Sequence, residues 1–385
     1  MMRKVNGTKT SMPILAILSL ILVAVGCSGG AEESVQNIVD GVIMNPATGK
    51  WQDQSQPPLD FNLVETIDLS SIEEPVISSI GYLNMDEAGN FYFFDRNVMK
   101  LISVDQEGNL RWAVGQEGKG PGDFENPFGM DIYENKLYVA NIQGSRIDQF
   151  DLEGNFNRST NMPKEVRFAS LIGFREGGLI LMSGAKFGAL GAEMYILQLS
   201  DSLRVENKIS IIESEDEEYE RATMRGPVAM SEDAFTYSFS VDYQYRIYGY
   251  DGELKSEVAR EFGGVLGPGI YVEGGSVSLY GLGRIGSPVF LDNGNYLVNV
   301  RYPTNIKDPN AYAKRASTGE TEDPVYEEFF DLYNANHELL FTFNDSEFVE
   351  ELGNLDVRDN EGNYYSTFSN DLIIKKYKII TTDFN

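Results

Sequence analysis

Tight turns return along this chain at a spacing that few folds can use. They run in couples: Asp86–Gly89 with Asp105–Gly108, Glu134–Lys136 with Asp151–Gly154, Arg175–Gly178 with Asp201–Arg204, Ser231–Asp233 with Asp251–Glu253, and Asp292–Asn295 with Asn334–His337. Asp and Asn open such turns because a short polar side chain can bond its own backbone, and Gly tolerates the left-handed backbone that follows. The second turn of each couple begins at 105, 151, 201 and 251, intervals of 46, 50 and 50. The next step, from 251 to 334, is 83, so the fifth unit is inflated. Between the turns lie short apolar runs, clearest from Gly115 to Phe156. There a Gly/Pro loop leads into strand signals at Met130–Tyr133, Leu137–Ala140, Ile147–Phe150 and from Phe156 onward. The unit that repeats is a four-stranded antiparallel meander.

Repeats of this length are the size of β-propeller blades. A sixth unit holds Asn354–Arg358, the turn Asp359–Gly362, Tyr364–Ser369 and Ile373–Ile379, after which the chain nearly stops. It lacks its outermost strand. The isolated strand Phe61–Leu69 is the expected replacement: pairing there closes the ring and removes an open edge. The prediction is an all-β fold over 61–385, a six-bladed β-propeller of four-stranded antiparallel blades, closed by an N-terminal strand in the last blade. Its 22 Phe and 21 Tyr supply bulk for the cores between stacked sheets.

One repeat carries a further signal. Gly118, Gly120, Gly122, Phe124, Pro127, Gly129, Tyr138-Val139, Arg146-Ile147, Phe150-Asp151 and Gly154 resemble an NHL-type propeller repeat. The chain as a whole resembles the six-bladed β-propeller lipoproteins of bacteria, a group without a shared established activity. It departs from the NHL pattern at Asn141, where those repeats usually carry Asp. The resemblance implies a fold more than a function.

The N-terminus reads as a leader. Arg3, Lys4 and Lys9 precede an apolar run from Met12 to Val25, shorter than the roughly 20 residues of a membrane span. It ends in Ala24-Val25-Gly26-Cys27, which resembles a bacterial lipobox. Cys27 is the only cysteine and stands where acylation requires it. Residues 1–26 are therefore expected to be a lipoprotein signal peptide. Residues 27–60, polar and punctuated by Pro46, Gly49, Pro57 and Pro58, are expected to be the lipidated cysteine and a flexible tether. The address is the cell envelope, lipid-anchored, at the outer membrane on its periplasmic or surface-exposed face. Losing the leader removes three of 31 basic residues and none of the 59 acidic ones, moving the net charge from −28 to −31. Such a field disfavours nucleic acid and favours cations or basic partners.

Strand parity separates two faces. The A–B and C–D turns of a meander lie on one, and the B–C and blade-to-blade D–A loops on the other. Every short turn above is A–B or C–D. The long stretches Gly115–Phe128, Ile212–Pro227, Phe262–Gly286 and Tyr302–Tyr326, with Gly184–Glu193 as a smaller excursion, are all D–A or B–C. Long structured loops gathered on one face carry function. Tyr271, Arg284, Arg301 and Tyr302 belong to these insertions and are the expected ligand-binding residues. The pairs Asp95/Lys100, Asn141/Arg146 and Asn370/Lys375, each five apart, read as polar groups bonding across the short B–C loop.

No serine elbow, nucleophilic cysteine or phosphate-cradling loop is present, and catalysis is not the expectation. Some six-bladed relatives are metal-dependent lactonases or lyases, so a hydrolase or lyase at the channel mouth is the first alternative. A His-based metal site is nearly excluded, because the sole histidine, His337, falls in a C–D turn on the opposite face. A divalent cation such as calcium, held by oxygen ligands, stays open; the acidic run Glu213–Glu220 could supply such ligands, but a solvated acidic loop is the preferred reading of it. The favoured reading is an envelope lipoprotein that binds a protein, peptide or glycan with its long-loop face. A structural subunit of an envelope complex is the second alternative.

Overall fold

The computed structural model describes residues 37–54, 56–141, 145–162, 173–174, 180–188, 191–200, 202, 204–214, 227–231, 233–239, 242–273, 276–291 and 293–381. Three strands precede the blades: β1 (Ile38–Val39), β2 (Val42–Asn45) and β3 (Leu59–Asp68). Blade one is β4 (Gly81–Met85), β5 (Phe91–Asp95), β6 (Lys100–Val104) and β7 (Leu110–Val114). Blade two is β8 (Pro127–Tyr133), β9 (Lys136–Asn141), β10 (Arg146–Asp151) and β11 (Phe156–Asn161). Blade three follows as β12 (Gly173–Phe174), β13 (Ile180–Gly188), β14 (Gly191–Leu199) and β15 (Val205–Ser214). Blade four is β16 (Val228–Met230), β17 (Ala234–Ser238), β18 (Gln244–Gly249) and β19 (Leu254–Arg260).

A hairpin, β20 (Gly267–Glu273) and β21 (Ser276–Ile285), interrupts the series. Blade five is then β22 (Val289–Phe290), β23 (Tyr296–Pro303), β24 (Tyr326–Tyr333) and β25 (Leu339–Phe343). Blade six is β26 (Asn354–Arg358), β27 (Asn363–Phe368) and β28 (Ile373–Thr381), with β3 paired antiparallel to β28 as its fourth strand. These lie in six sheets, each blade antiparallel within itself. The pairing expected of Phe61–Leu69 is present, two residues earlier, with Ile67 opposite Ile374 and Leu59 opposite Thr381.

The blades meet through side chains. In β5 (FYFFD) every residue is buried, because alternate residues feed two different cores. Phe91 and Phe93 pack with Tyr365 and Ile374 of blade six, while Tyr92 and Phe94 pack with Leu137 and Val139 of blade two and with Phe124 of the loop leading into it. Ile67 and Leu69 fill the first of these cores and Leu59 the next, between blades five and six.

The short turns share a tighter chemistry than Asp-x-x-Gly. In Asp86–Asn90, Asp105–Asn109, Asp151–Asn155 and Asp359–Asn363, one carboxylate oxygen accepts from two backbone N–H groups and the other from the closing Asn side chain. The glycine between them sits near φ +86° in the first three. The expected turns at Arg175–Gly178, Asp201 and Asp292 lie wholly or partly outside the described residues.

The tether assignment is corrected from residue 37 onward. β1 and β2 form a hairpin, and β2 adds in parallel to the outer edge of β19 in blade four. The chain then crosses to blade five, where Lys50 and Trp51 donate to the carbonyls of Leu339 and Leu340. Gly49 is needed there, since a Cβ on it would lie 2.6 Å from the Leu340 oxygen. An outermost strand leaves unpaired backbone groups, and a four-residue strand with three apolar side chains is enough to cover them while being too short to show a period. Two expected loops are also strands: Gly184–Glu193 belongs to the extended β13–β14 hairpin, and much of Phe262–Gly286 is the β20–β21 hairpin.

Candidate functional site

The polar pairs five apart do not bond each other. At the end of β5, Asp95 is fully buried and accepts from the backbone N–H and hydroxyl groups of both Ser78 and Ser79, and from Asn97 N–H. Burial opposes its ionisation, but these hydrogen bonds outweigh it and its carboxyl sits below the ordinary value. Asn141, its counterpart on β9, accepts from Glu125 N–H and donates to Asp123 O. Lys100 donates to Gly115 O, and Arg146 to the carbonyls of Gly120 and Asp123. Lys375 reaches back to Glu351 O. Each of these groups holds the D–A loop entering its own blade or leaving it, and the expected bonding across the B–C loop is present in part, from Asn97 N–H to Asp95 and from Asn141 to Asp148.

On that long-loop face the two largest insertions meet. The helix Pro309–Ala316, within the β23–β24 connection, starts on Asp308, whose side chain accepts from Ala311 N–H. It packs on the β20–β21 hairpin, where Leu282, Ile306 and Tyr312 form a small core. Asn310 accepts from Ile270 N–H. Gly269 permits the approach, because a Cβ there would stand 2.1 Å from Pro309 O. A second helix, Ser346–Leu352, occupies the connection from blade five to blade six. It starts on Asp345, whose side chain accepts from Phe348 N–H.

Between this lobe and blade six lies a cleft of about 820 Å³. Arg284, Arg301 and Tyr302 line it together; Tyr271 does not, standing half-buried opposite Ser278 within the hairpin. Arg284 and Arg301 are direct cross-strand partners, and Glu328 is opposite Arg301 on its other side. The Arg301 guanidinium lies 3.6 Å over the ring of Tyr326. Tyr302 donates to Glu327 at 2.6 Å, and burial together with that carboxylate pushes its phenol up to about 12. Deeper, Arg260 ion-pairs with Asp331, which is fully buried and also accepts from Tyr243 and, at 2.6 Å, from Thr342. Burial holds the Asp331 carboxyl above its ordinary value despite these donors. The Arg260 Nε is buried without a hydrogen-bond partner among the described residues. Sequence reasoning missed Tyr326, Arg260 and Phe368 on this cleft. Tyr326 was detectable as the residue that meets Pro303 where the insertion closes.

The central channel, about 580 Å³, is lined by the innermost strands of blades one, two, four, five and six, with Asp131, Asp356 and Arg358 on its wall. Asp356 is exposed to the channel space, although protein atoms surround much of its carboxyl. Burial pushes its carboxyl up to about 6, against hydrogen bonds from Thr367. Among the described residues no three His, Cys, Asp or Glu side chains converge to hold a metal ion. Of the acidic run Glu213–Glu220, residues 215–220 lie outside the described residues, as does Cys27. His337 stands in the β24–β25 turn on the short-turn face, where its Nδ1 and the Tyr296 hydroxyl are 3.0 Å apart.

A family model described as 6-bladed beta-propeller matches residues 55–273. Among solved structures, a protein from Bacteroides fragilis described as exported is similar at 12% identity and a TM-score of 0.57, over 89% of this chain and 100% of its own. A DUF4221 family protein from Bacteroides vulgatus is similar at 11% identity and a TM-score of 0.51, over 85% of this chain and 100% of its own. At such identities the likeness is one of fold. No curated protein matches the sequence.

Proposed function

We propose a binding role for this chain, which belongs to the 6-bladed beta-propeller family. It is an envelope protein, anchored through a lipid on Cys27, that receives a protein, peptide or glycan partner on its long-loop face. The observation that carries this reading is the convergence of the two largest insertions on one cleft, against an opposite face of short Asp-x-x-Gly-Asn turns. Clefts of this size, with a few polar groups aimed into them, suit binding. Export fits the leader, and the Bacteroides fragilis protein of like fold is described as exported. The anchor is tested by Cys27→Ser, which shifts the protein out of the detergent phase; an unchanged membrane fraction without acyl mass on the wild type rejects it.

The face is tested by replacing Thr304–Val325 with Asn-Gly. Pro303 and Tyr326 are already paired, so a two-residue turn can close the hairpin without the lobe. The domain is expected to stay folded and lose its partner. Retained binding, with loss on changing the turns at Asp86, Asp151 and Asp359, would assign recognition to the other face.

A further inference from the structure

We propose that Arg284 and Arg301 seat the single acidic group, carboxylate or sulfate, of an otherwise neutral sugar chain. This rests on the reading that the long-loop face receives the partner, and it names the ligand's chemistry. Two arginines are direct cross-strand partners on β21 and β23, a like-charge pairing that destabilises a sheet. The chain offers 59 acidic residues against 31 basic ones, so neutralising partners are plentiful. Yet among the described residues neither the Arg284 nor the Arg301 guanidinium has a carboxylate oxygen within 4.0 Å or makes a side-chain hydrogen bond. Arg301 faces Glu328 on its other side and stacks on Tyr326, whereas Arg284 has no such compensation, and departures from local rules concentrate at functional or strained sites.

The stacking on Tyr326 orients Arg301. A guanidinium lying flat on a ring keeps its N–H edge free, and that planar fork matches an oxyanion with two parallel bonds. The rest of the cleft favours a sugar over an acidic peptide. Tyr302, Tyr326 and Phe368 line the cleft as aromatic side chains of the kind that pack against sugar C–H surfaces, while Glu328 and Glu350, also on its lining, can accept from hydroxyls. Those same carboxylates, and a net charge of −28, repel a ligand with many negative groups. One acid among neutral hydroxylated rings satisfies both demands.

The test uses full-length protein extracted in detergent and probes that share a neutral core: lactose, sialyllactose and sulfated lactose, with a glucuronic-acid-capped oligosaccharide and a short oligoglutamate peptide. At least one acidic sugar is expected to bind about tenfold or more tighter than lactose, with sialyllactose and sulfated lactose distinguishing carboxylate from sulfate. Arg284→Gln and Arg301→Gln should each remove that preference and leave the melting temperature equal or higher. Binding of lactose as tight as any acidic sugar, or tighter binding of oligoglutamate, overturns the proposal. So does unchanged acidic-sugar binding in both arginine variants. If the Thr304–Val325 replacement then abolishes that binding, the face is right and the arginine seat wrong; if it does not, both readings fail.

Discussion

Arg260, the last residue of blade four, forms an ion pair with Asp331 in the third strand of blade five, and the carboxylate is wholly buried. The pair joins two sheets that share a tyrosine-rich core. Tyr243 donates to Asp331, Tyr333 donates to Tyr243 at 3.1 Å, and Tyr296 stacks on Tyr333 with centroids 5.2 Å apart.

Asp331→Asn leaves the buried Arg260 charge uncompensated. A loss of about 3–5 kcal/mol is expected in urea unfolding. The double variant Arg260→Met with Asp331→Leu should lose less than Asp331→Asn alone. Equal midpoints for Asp331→Asn and the wild type would show that the pair contributes nothing.

Asn45 holds the N-terminal strap to both blades. Its side chain donates to Ala259 O and His337 O and accepts from the buried Leu339 N–H at 2.7 Å. Asn45→Ala strands these groups, and a cost of about 1–3 kcal/mol is expected. Truncation to residue 36 should leave the melting temperature unchanged, while truncation to residue 54 lowers it. A 54-residue truncation that melts like the whole domain would reduce the strap to decoration.

The Asp356 carboxyl, pushed up to about 6 in the fold from 3.8, binds its proton more tightly folded than unfolded. Its favourable contribution is therefore present below about pH 4 and lost as pH rises through about 6. Asp356→Asn should melt higher than the wild type at pH 7, with the difference vanishing near pH 4. The reverse order at pH 7 would mean that the channel solvates this group well.

His337 titrates in the opposite sense. Burial lowers it below its ordinary 6.5, so the unfolded chain takes up the proton first. Stability should be full above about pH 6.5 and decline as pH falls through the folded value. As the only histidine it gives one resolved imidazole signal in a proton NMR titration. His337→Asn, which tolerates the positive φ there, should flatten the stability profile between pH 5 and 7. A measured value at or above 6.5 would contradict this.

The blade count was legible because local chemistry repeats. Asp86, Asp105, Asp151 and Asp359 each satisfy their turn with residues no more than six positions away, so the signal survives in the linear chain. The place of β3 was legible for a related reason: the last unit lacked a strand and the first segment had one to spare. Arg284, Arg301 and Tyr302 could be gathered on one face by parity alone, since each long loop must exit on that side. Tyr271 could not be separated from them, because parity gives a face and not a depth. The strap was hidden in β2, where Val42, Ile43 and Met44 carry no period and their partner, β19, lies more than 200 positions away. The Arg260–Asp331 pair spans 71 positions, and the Arg301 stack on Tyr326 closes across an insertion. By itself the sequence determined how many blades there are and which way the loops leave them, since turns and alternation are set within a few residues. Only the tertiary structure decided which distant charges meet and which are left without partners, because that depends on how sheets pack against one another.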